Sequence, residues 1–494
     1  MFTTIPCVSL HEDGIKYYFD NVACVYSPLH PLVFSRYLQE KHNSSIKYNQ
    51  DSNHYLPEEY DYYNRKYSYL HSYGIFGEVT DAVSEETKYM DGATVSRQIA
   101  NLKQLVFEVT DDCNLKCEYC AYGAMYYDYD EREGKYLSFD AIRQTIDFIF
   151  PRLSNNGSIL YVSFYGGEPL LAIGVIKETV DYINTHYKHK SVQFSMTTNG
   201  ILLDKHVEFL KDNDFRVLVS LDGNEYNHSY RVNMNGANSF CSVFWNLKLI
   251  QKQHPDFFDR NIQFNSVLHN RNSGKETHGF LFKEFGKVTH LSSLDSSGIK
   301  PEQLAKFKTM SETKLLAQGD FDKRTILQEQ KEQNPFVYET AFFFQYCLKN
   351  SFFDTYEELL MDRLDNEIKI PSGTCLPFQK KLFVTVNGKI LACERISQEY
   401  VLGTVDKDGV NIDCDLIAQK YNEYFNCVRN QCDHCYLRKT CKQCLFQIDH
   451  FSEKKQCVHA SGEKGVSKWI SQVLSFLENV PEAMKLIVDD VLIV

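Results

Sequence analysis

The stretch VTDDCNLKCEYCAYG (109–123) crowds three thiols, Cys113, Cys117 and Cys120, into one short loop, directly after the apolar run QLVFEVT (104–110). That run reads as a β-strand, and the next 150 or so residues repeat the pattern. FDAIRQTIDFIFPRL, ILYVSFYGG, AIGVIKETVDYINTHY, VQFSMTTNG, HVEFLKDNDF, RVLVSLDG, SVFWNLKLIQKQ and IQFNSVLHN alternate amphipathic helices with short apolar strands, the signature of βα units and a parallel sheet. Five or six strands are visible, fewer than the eight of a closed barrel, so an incomplete α/β barrel is expected. The three cysteines then lie just past the carboxyl end of the first strand, where such folds build their active sites.

Three thiolates can hold three irons of a [4Fe-4S] cluster and leave the fourth iron open to an exchangeable ligand, whereas a structural zinc is closed by four protein ligands. A zinc completed by a distant residue, or three buried thiols, remain alternatives on spacing alone. The chain has 494 residues, 43% of them apolar, enough for two to four globular domains. Its formal charge of −12 argues against a nucleic-acid partner. No apolar run approaches the roughly 18 to 20 residues needed to span a bilayer, and MFTTIPCVSLHEDG lacks a signal-peptide pattern, so no membrane partner and a cytoplasmic location are expected. Sixteen cysteines in a reducing compartment point toward metal rather than disulfides, most being bunched between Cys375 and Cys457. The scattered Cys7, Cys24, Cys241 and Cys414 read as small core hydrophobes.

The CxxxCxxC spacing, with Tyr119 before its last cysteine, resembles the signature of radical S-adenosylmethionine (SAM) enzymes. SFYGGEPLL (163–171), TTNG (197–200) and VSLDG (219–223) resemble that family's later strand ends. The resemblance implies a partial (β/α)6 TIM barrel over residues 100–300. It places Gly166, Gly167 and Glu168 at the amino group of SAM, Asn199 and Ser220 along the pocket with Ser220 near the ribose, and Arg231 near the methionyl carboxylate. No adenine-binding segment is assigned. No protein residue is expected to act as a catalytic acid or base, because the cofactors carry the chemistry.

Downstream, CLPFQKKLFVTVNGKILACERI predicts a β-hairpin turning at NG, and CDHCYLRKTCKQC comes after it. Two CxxC pairs suggest a zinc ribbon, but the five residues between them are fewer than the roughly 12 to 20 usual for one. This region, taken as 371–460, resembles the cysteine-rich SPASM extension of peptide-modifying radical SAM enzymes, which implies two auxiliary [4Fe-4S] clusters, three clusters in all. By position Cys375, Cys393 and Cys444 hold the first and Cys432, Cys435, Cys441 and Cys457 the second. Cys347, Cys414 or Cys427 supplies a fourth ligand to the first, or that iron stays open to a substrate thiolate.

Residues 1–95 contain the β-like runs IKYYF and ACVYS followed by helical segments. They are read as a winged-helix-like module that recognises the leader of a precursor peptide by strand addition. Residues 301–370 read as a helical bridge. VSKWISQVLSFLENV, within 461–494, reads as an amphipathic helix with Trp469, Val473, Phe476 and Leu477 on one face. The resemblance thus implies a maturase that cross-links a ribosomally made precursor peptide through thioether or carbon–carbon bonds, with flavodoxin or ferredoxin as electron donor. A sulfatase-maturing enzyme that makes formylglycine, and a zinc-stabilised peptide-binding adaptor, are the competing readings.

Overall fold

The computed structural model describes residues 4–8, 16–20, 25–28, 32–33, 36–37, 56–72, 88–127, 129–154, 158–295, 297–311 and 373–433, and the short stretches 435, 441, 443–448, 457, 467–468, 471–473 and 475–477. Cys24, Cys347, Trp469 and most of the expected bridge lie outside the described residues. The chain divides into two compact units, residues 1–89 with 320–374 and 424–494, and residues 90–319 with 375–423.

In the first unit, β1 (Thr4–Val8), β2 (Lys16–Asp20) and β3 (Val25–Pro28) form an antiparallel sheet in that order. Helix α1 (Pro57–Ser72) comes next, with acidic Glu58 and Glu59 in its first turn, where they favour the positive end of the helix dipole. The sequence reading anticipated β2, β3 and α1 but not β1, whose Pro6 weakens any strand signal. At the far end of the chain the described residues of the amphipathic helix bury Val473 and Phe476, as its apolar face requires.

The second unit opens with α2 (Gly92–Ala100), whose Asp91 side chain caps Thr94 N at 2.8 Å. Six parallel strands are laid down in sequential order: β4 (Gln104–Thr110), β5 (Leu160–Gly166), β6 (Val192–Thr198), β7 (Arg216–Ser220), β8 (Ile262–Leu268) and β9 (Thr289–Ser293). Helices join them: α3 (Phe139–Ile149), α4 (Ile173–His186), α5 (Leu203–Asp212), α6 (Phe240–Gln253) with α7 (Pro255–Asn261), and α8 (Gly274–Phe285). After α9 (Leu304–Ser311), β10 (Lys381–Val384) joins the free edge of β4 in parallel. β11 (Lys389–Leu391), β12 (Gly403–Asp406) and β13 (Gly409–Ile412) extend the sheet antiparallel, and α10 (Cys414–Asp433) closes the run. The expected hairpin at NG is β10–β11, where Gly388 takes φ +76° and leaves no room for a side chain against Val405 O.

The period of two along these strands separates two faces. Leu105, Phe107, Val109, Val162, Phe164, Phe194, Met196, Val217, Val219 and Phe264 are all buried, on the face that packs against the helices. Each such side chain contributes about 1.5 to 3 kcal/mol by leaving water. Helix α3 answers with Ile142, Thr145, Ile146 and Ile149, spaced i, i+3, i+4 and i+7. The opposite face is polar: Gln104 Nε2 donates to Ser163 Oγ at 2.7 Å, Ser163 and Ser195 share a bond of 2.5 Å, and Ser292 Oγ donates to Asn265 at 2.9 Å. A cavity of about 440 Å³ on this face touches side chains from all six parallel strands and from the β10–β11 hairpin. One cavity reaching every strand requires a sheet curved around it, as in a barrel left open.

Candidate active site at the strand ends

The β4–β5 register shifts between Glu108 and Thr110, an irregularity that re-aims the chain as it leaves the sheet toward Cys113. Asp111, buried, anchors the loop base by accepting from Lys135 N at 2.7 Å and Glu133 N at 3.0 Å. Beyond it the loop is zipped to residues 230–233, Lys116 N donating to Val232 O at 2.7 Å and Glu118 N to Tyr230 O at 3.0 Å. The three thiols are half-buried. Burial pushes the Cys113 thiol up to about 11 and that of Cys117 to about 12, and each feels the charge of its neighbours in the loop. Such thiols stay protonated in water near neutrality, so a bound cation is what would convert them to thiolates. Donors already face the sulfurs. Leu115 N lies 3.4 Å and Asn199 Nδ2 3.8 Å from Cys113 Sγ, and Arg132 Nη2 lies 3.1 Å from Cys120 Sγ. Among the described residues no three His, Cys, Asp or Glu side chains form the donor set of a single metal ion.

The glycine pair on β5 serves this loop directly. A Cβ on Gly167 would stand 1.9 Å from Asp112 O, and one on Gly166, at φ +128°, 2.1 Å from Thr110 O. Only glycine permits that approach, which lets Gly167 N donate to Thr110 O and Glu168 N to Asp112 O, both at 2.8 Å. The side chain of Glu168 is wholly buried and ties β5 to β6. It accepts from Leu170 N at 3.1 Å, Thr198 Oγ1 at 2.7 Å and Asn199 N at 2.8 Å, while burial lifts its pKa to about 7.

Asp222, two residues past Ser220 and fully buried, is the hub of the next strand end. It accepts from Arg231 Nε at 2.9 Å, Arg231 Nη2 at 3.0 Å, Val267 N at 2.9 Å and the Tyr119 hydroxyl. Burial alone would raise its pKa, but Arg231 and the hydrogen bonds outweigh that and hold it well below the usual carboxylate range. Burial pushes His228 down to about 3. Its Nδ1 accepts from Asp222 N, so the neutral ring carries its proton on Nε2, toward Ser239 Oγ at 3.1 Å.

A profile of the radical SAM superfamily matches residues 107–272. Residues 107–272 are a radical SAM domain. A cysteine-type anaerobic sulfatase-maturating enzyme of Clostridium novyi is 26% identical over 161 residues, 32% of this chain and 42% of that one. The radical SAM cyclopropyl synthase TigE of Paramaledivibacter caminithermalis is 28% identical over 178 residues, 34% of this chain and 35% of that one. The chain thus matches less than half the length of either relative. The solved structure of native anSMEcpe with bound AdoMet and Cp18Cys peptide shares the fold, at 17% identity and a TM-score of 0.50 over 78% of this chain and 99% of that chain.

Within the radical SAM domain, every cluster or cofactor residue expected from sequence sits at the carboxyl ends of β4 to β7 or in the loops beyond them, whereas Cys241, read as a small core hydrophobe, is exposed on α6. Their partners refine the reading. Two of the five N–H donors of Arg231 are committed to Asp222, which leaves one on Nη2 and the pair on Nη1 for a further ligand. The hydroxyl of Tyr119 is likewise spent on Asp222, and its ring lies 5.8 Å from His269 and 6.2 Å from Tyr230. Gly166 and Gly167 are required by the approach of backbone from the cysteine loop, a steric demand separate from any ligand. Asp222, Asp111 and Arg132 escaped the sequence reading. Asp222 had a signal in VSLDG, a charge ending an apolar strand; Arg132 had none.

The cysteine-rich end falls in both units. Cys375 and Cys393 flank β10–β11 in the second, where burial raises the Cys393 thiol to about 12. Cys432, Cys435, Cys441, Cys444 and Cys457 belong to the first. There Cys435 N donates to Cys432 O at 3.2 Å, Cys457 N donates to Gln431 Oε1 at 2.8 Å, and partial burial, with the charges of Cys435 and Cys457, pushes the half-buried Cys441 thiol up. Among the described residues no helix is long and apolar enough to cross a membrane.

Proposed function

We propose that this chain is a peptide maturase that cross-links a ribosomally made precursor through thioether or carbon–carbon bonds. The observation that carries the reading is the loop of Cys113, Cys117 and Cys120 at a strand end of a radical SAM domain, where burial raises the thiols of Cys113 and Cys117 and N–H donors face the sulfurs of Cys113 and Cys120. These three would hold a [4Fe-4S] cluster, and Gly166, Gly167, Glu168, Asn199, Ser220, Arg231 and Tyr119 would frame SAM. When bound, these groups supply a 5′-deoxyadenosyl radical that takes hydrogen from an unactivated substrate carbon. The chain's own part is to bind, orient and exclude water. Cys432, Cys435, Cys441 and Cys457 would hold one auxiliary cluster and Cys375, Cys393 and Cys444 another. Residues 1–95 would take the leader, and flavodoxin or ferredoxin would supply electrons in the cytoplasm.

A second reading, formylglycine formation on a sulfatase, has support of its own in the sulfatase-maturating relative. Protein purified without oxygen should carry about twelve irons, four per cluster. Incubated with reductant, SAM and a cysteine-rich precursor, it should yield a product about two mass units lighter with one thiol lost, since a thioether removes two hydrogens. Formylglycine without a macrocycle would decide for the second reading. Zinc in place of iron, with no paramagnetic signal that responds to SAM, would overturn both.

A further inference from the structure

The cavity on the polar face of the sheet carries a charge pattern that the cofactor site does not use. Its one lining carboxylate, Glu394, is neutralised by Lys381, whose Nζ donates to both oxygens at 2.8 and 2.9 Å. Around the same cavity stand three exposed arginines: Arg395, which shares Glu394 with Lys381, and Arg216 and Arg260, which have no carboxylate partner among the described residues. Arg216 reaches only the backbone carbonyl of Arg260, and Arg260 that of Asp256 at 3.4 Å. Guanidinium is charged at any working pH. With Lys381 and Glu394 counted, four cations and one carboxylate leave three positive charges in excess at one opening of a chain of net charge −12, a pattern that favours an anionic occupant. The volume, about 440 Å³, admits a short peptide segment.

We propose that this cavity anchors a carboxylate of the substrate peptide, from an acidic side chain or the chain's own C-terminus, and so selects acidic precursors. The inference rests on the peptide reading above and adds a spacing to it. Tyr165, Thr197 and Leu218 line the cavity two positions before Gly167, Asn199 and Ser220, so it opens directly below the strand-end rim. Arg216 lies four positions before Ser220 on β7, about 13 Å below that rim at 3.3 Å per residue. An extended peptide covers that distance in about four residues, which places the acidic group about four positions from the residue that reacts.

The test uses holoenzyme with SAM and fluorescein-labelled, C-terminally amidated heptapeptides with cysteine second and glutamate, glutamine or lysine sixth. A fourth peptide has glutamine sixth and a free C-terminal carboxylate. By anisotropy, the glutamate peptide should bind about tenfold tighter than the glutamine peptide, the expected weight of one charge-assisted contact, and lysine should bind weakest. Tight binding of the fourth peptide alone would assign the anchor to a chain terminus. Arg216→Gln with Arg260→Gln should erase the glutamate preference while the glutamine peptide binds as before. Arg395→Gln, at an exposed position, provides the same comparison if the double variant fails to fold. Equal affinity for all four, as expected if the chain itself fills the cavity, overturns the anchor and leaves the peptide reading standing. Binding of none, with SAM still bound, overturns both.

Discussion

Replacing Gly167 by alanine should dislodge the cysteine loop. The new Cβ would lie 1.9 Å from Asp112 O, 2.5 Å from Asp112 C and 2.8 Å from Asp111 O, whereas ordinary contact begins at 3.4 Å. The backbone must therefore retreat by about 1.5 Å (3.4 − 1.9), and no flexible side chain is there to yield in its place. That movement breaks Glu168 N to Asp112 O and strains Gly167 N to Thr110 O. Two hydrogen bonds at about 1 kcal/mol each, with desolvated groups left unpaired, give a loss of roughly 2 to 4 kcal/mol. In a domain of this size that is a fall of roughly 5 to 15 °C in apparent Tm. Cys113 adjoins Asp112 directly and its N–H is bonded to Asp112 Oδ1 at 2.8 Å, so the first sulfur moves too. Iron bound at the loop should fall with it. Gly174→Ala is the control: nothing lies within 4 Å of its Cβ, and it should be neutral or stabilising by up to about 1 kcal/mol. The measurements are thermal denaturation and iron content after anaerobic reconstitution. A Gly167→Ala protein with wild-type iron and a Tm within a degree or two of wild type would refute the packing argument.

Arg132→Gln should leave iron content intact but lower the midpoint potential of the loop cluster by roughly 60 mV, the equivalent of about 1.4 kcal/mol for one charge-assisted hydrogen bond in a one-electron couple. A redox titration followed by paramagnetic resonance reads it, and an unchanged potential would exclude the contact. Asp222→Asn strands the buried Arg231 without a counter-ion and should cost about 3 to 5 kcal/mol in urea denaturation, with part regained in the Asp222→Asn, Arg231→Gln pair. Burial raises Glu108 from 4.5 to about 7, so the folded state holds a proton that the unfolded state has released across that window. Stability from this group is complete below pH 4.5 and declines up to about pH 7, by about 3 kcal/mol at most. Glu108→Gln should flatten that part of the denaturation profile; a slope identical to wild type would show that the group does not titrate there.

The parallel sheet was legible because each βα unit announces itself locally: an apolar run of strand length, a turn, then a helix with period 3.6. β9 was not, since THLSS is short and half polar and earns its place only by pairing with β8. The β12–β13 hairpin carried a readable signal in Asp408-Gly409, and Gly409 adopts φ +121°. The docking of β10 on β4 had none, because it joins Lys381 to Gln104 across most of the chain. The same distinction holds at the site. Cysteine spacing and the glycine pair are local patterns that sequence displays, whereas the partners of Asp222 come from three separate segments, at Tyr119, Arg231 and Val267. The unpaired arginines of the cavity are hidden for the same reason, since being unpaired is a property of the fold.

Three buried carboxylates at the strand ends explain how such a rim stays rigid without a sheet ladder to hold it. Loops leaving parallel strands carry N–H groups that no neighbouring strand satisfies, and a buried donor left unpaired costs about 1 to 3 kcal/mol. Asp111 takes the amides of Glu133 and Lys135, Glu168 those of Leu170 and Asn199, and Asp222 that of Val267. Each carboxylate accepts from a segment other than its own strand, so the cysteine loop, the glycine turn and the ends of β6 and β8 are bound into one frame. Acids occupied in this way are poorly placed to serve as general bases. For the proposed reaction that is no loss, because removal of a hydrogen atom by a radical asks the protein for fixed geometry and exclusion of water rather than for proton transfer.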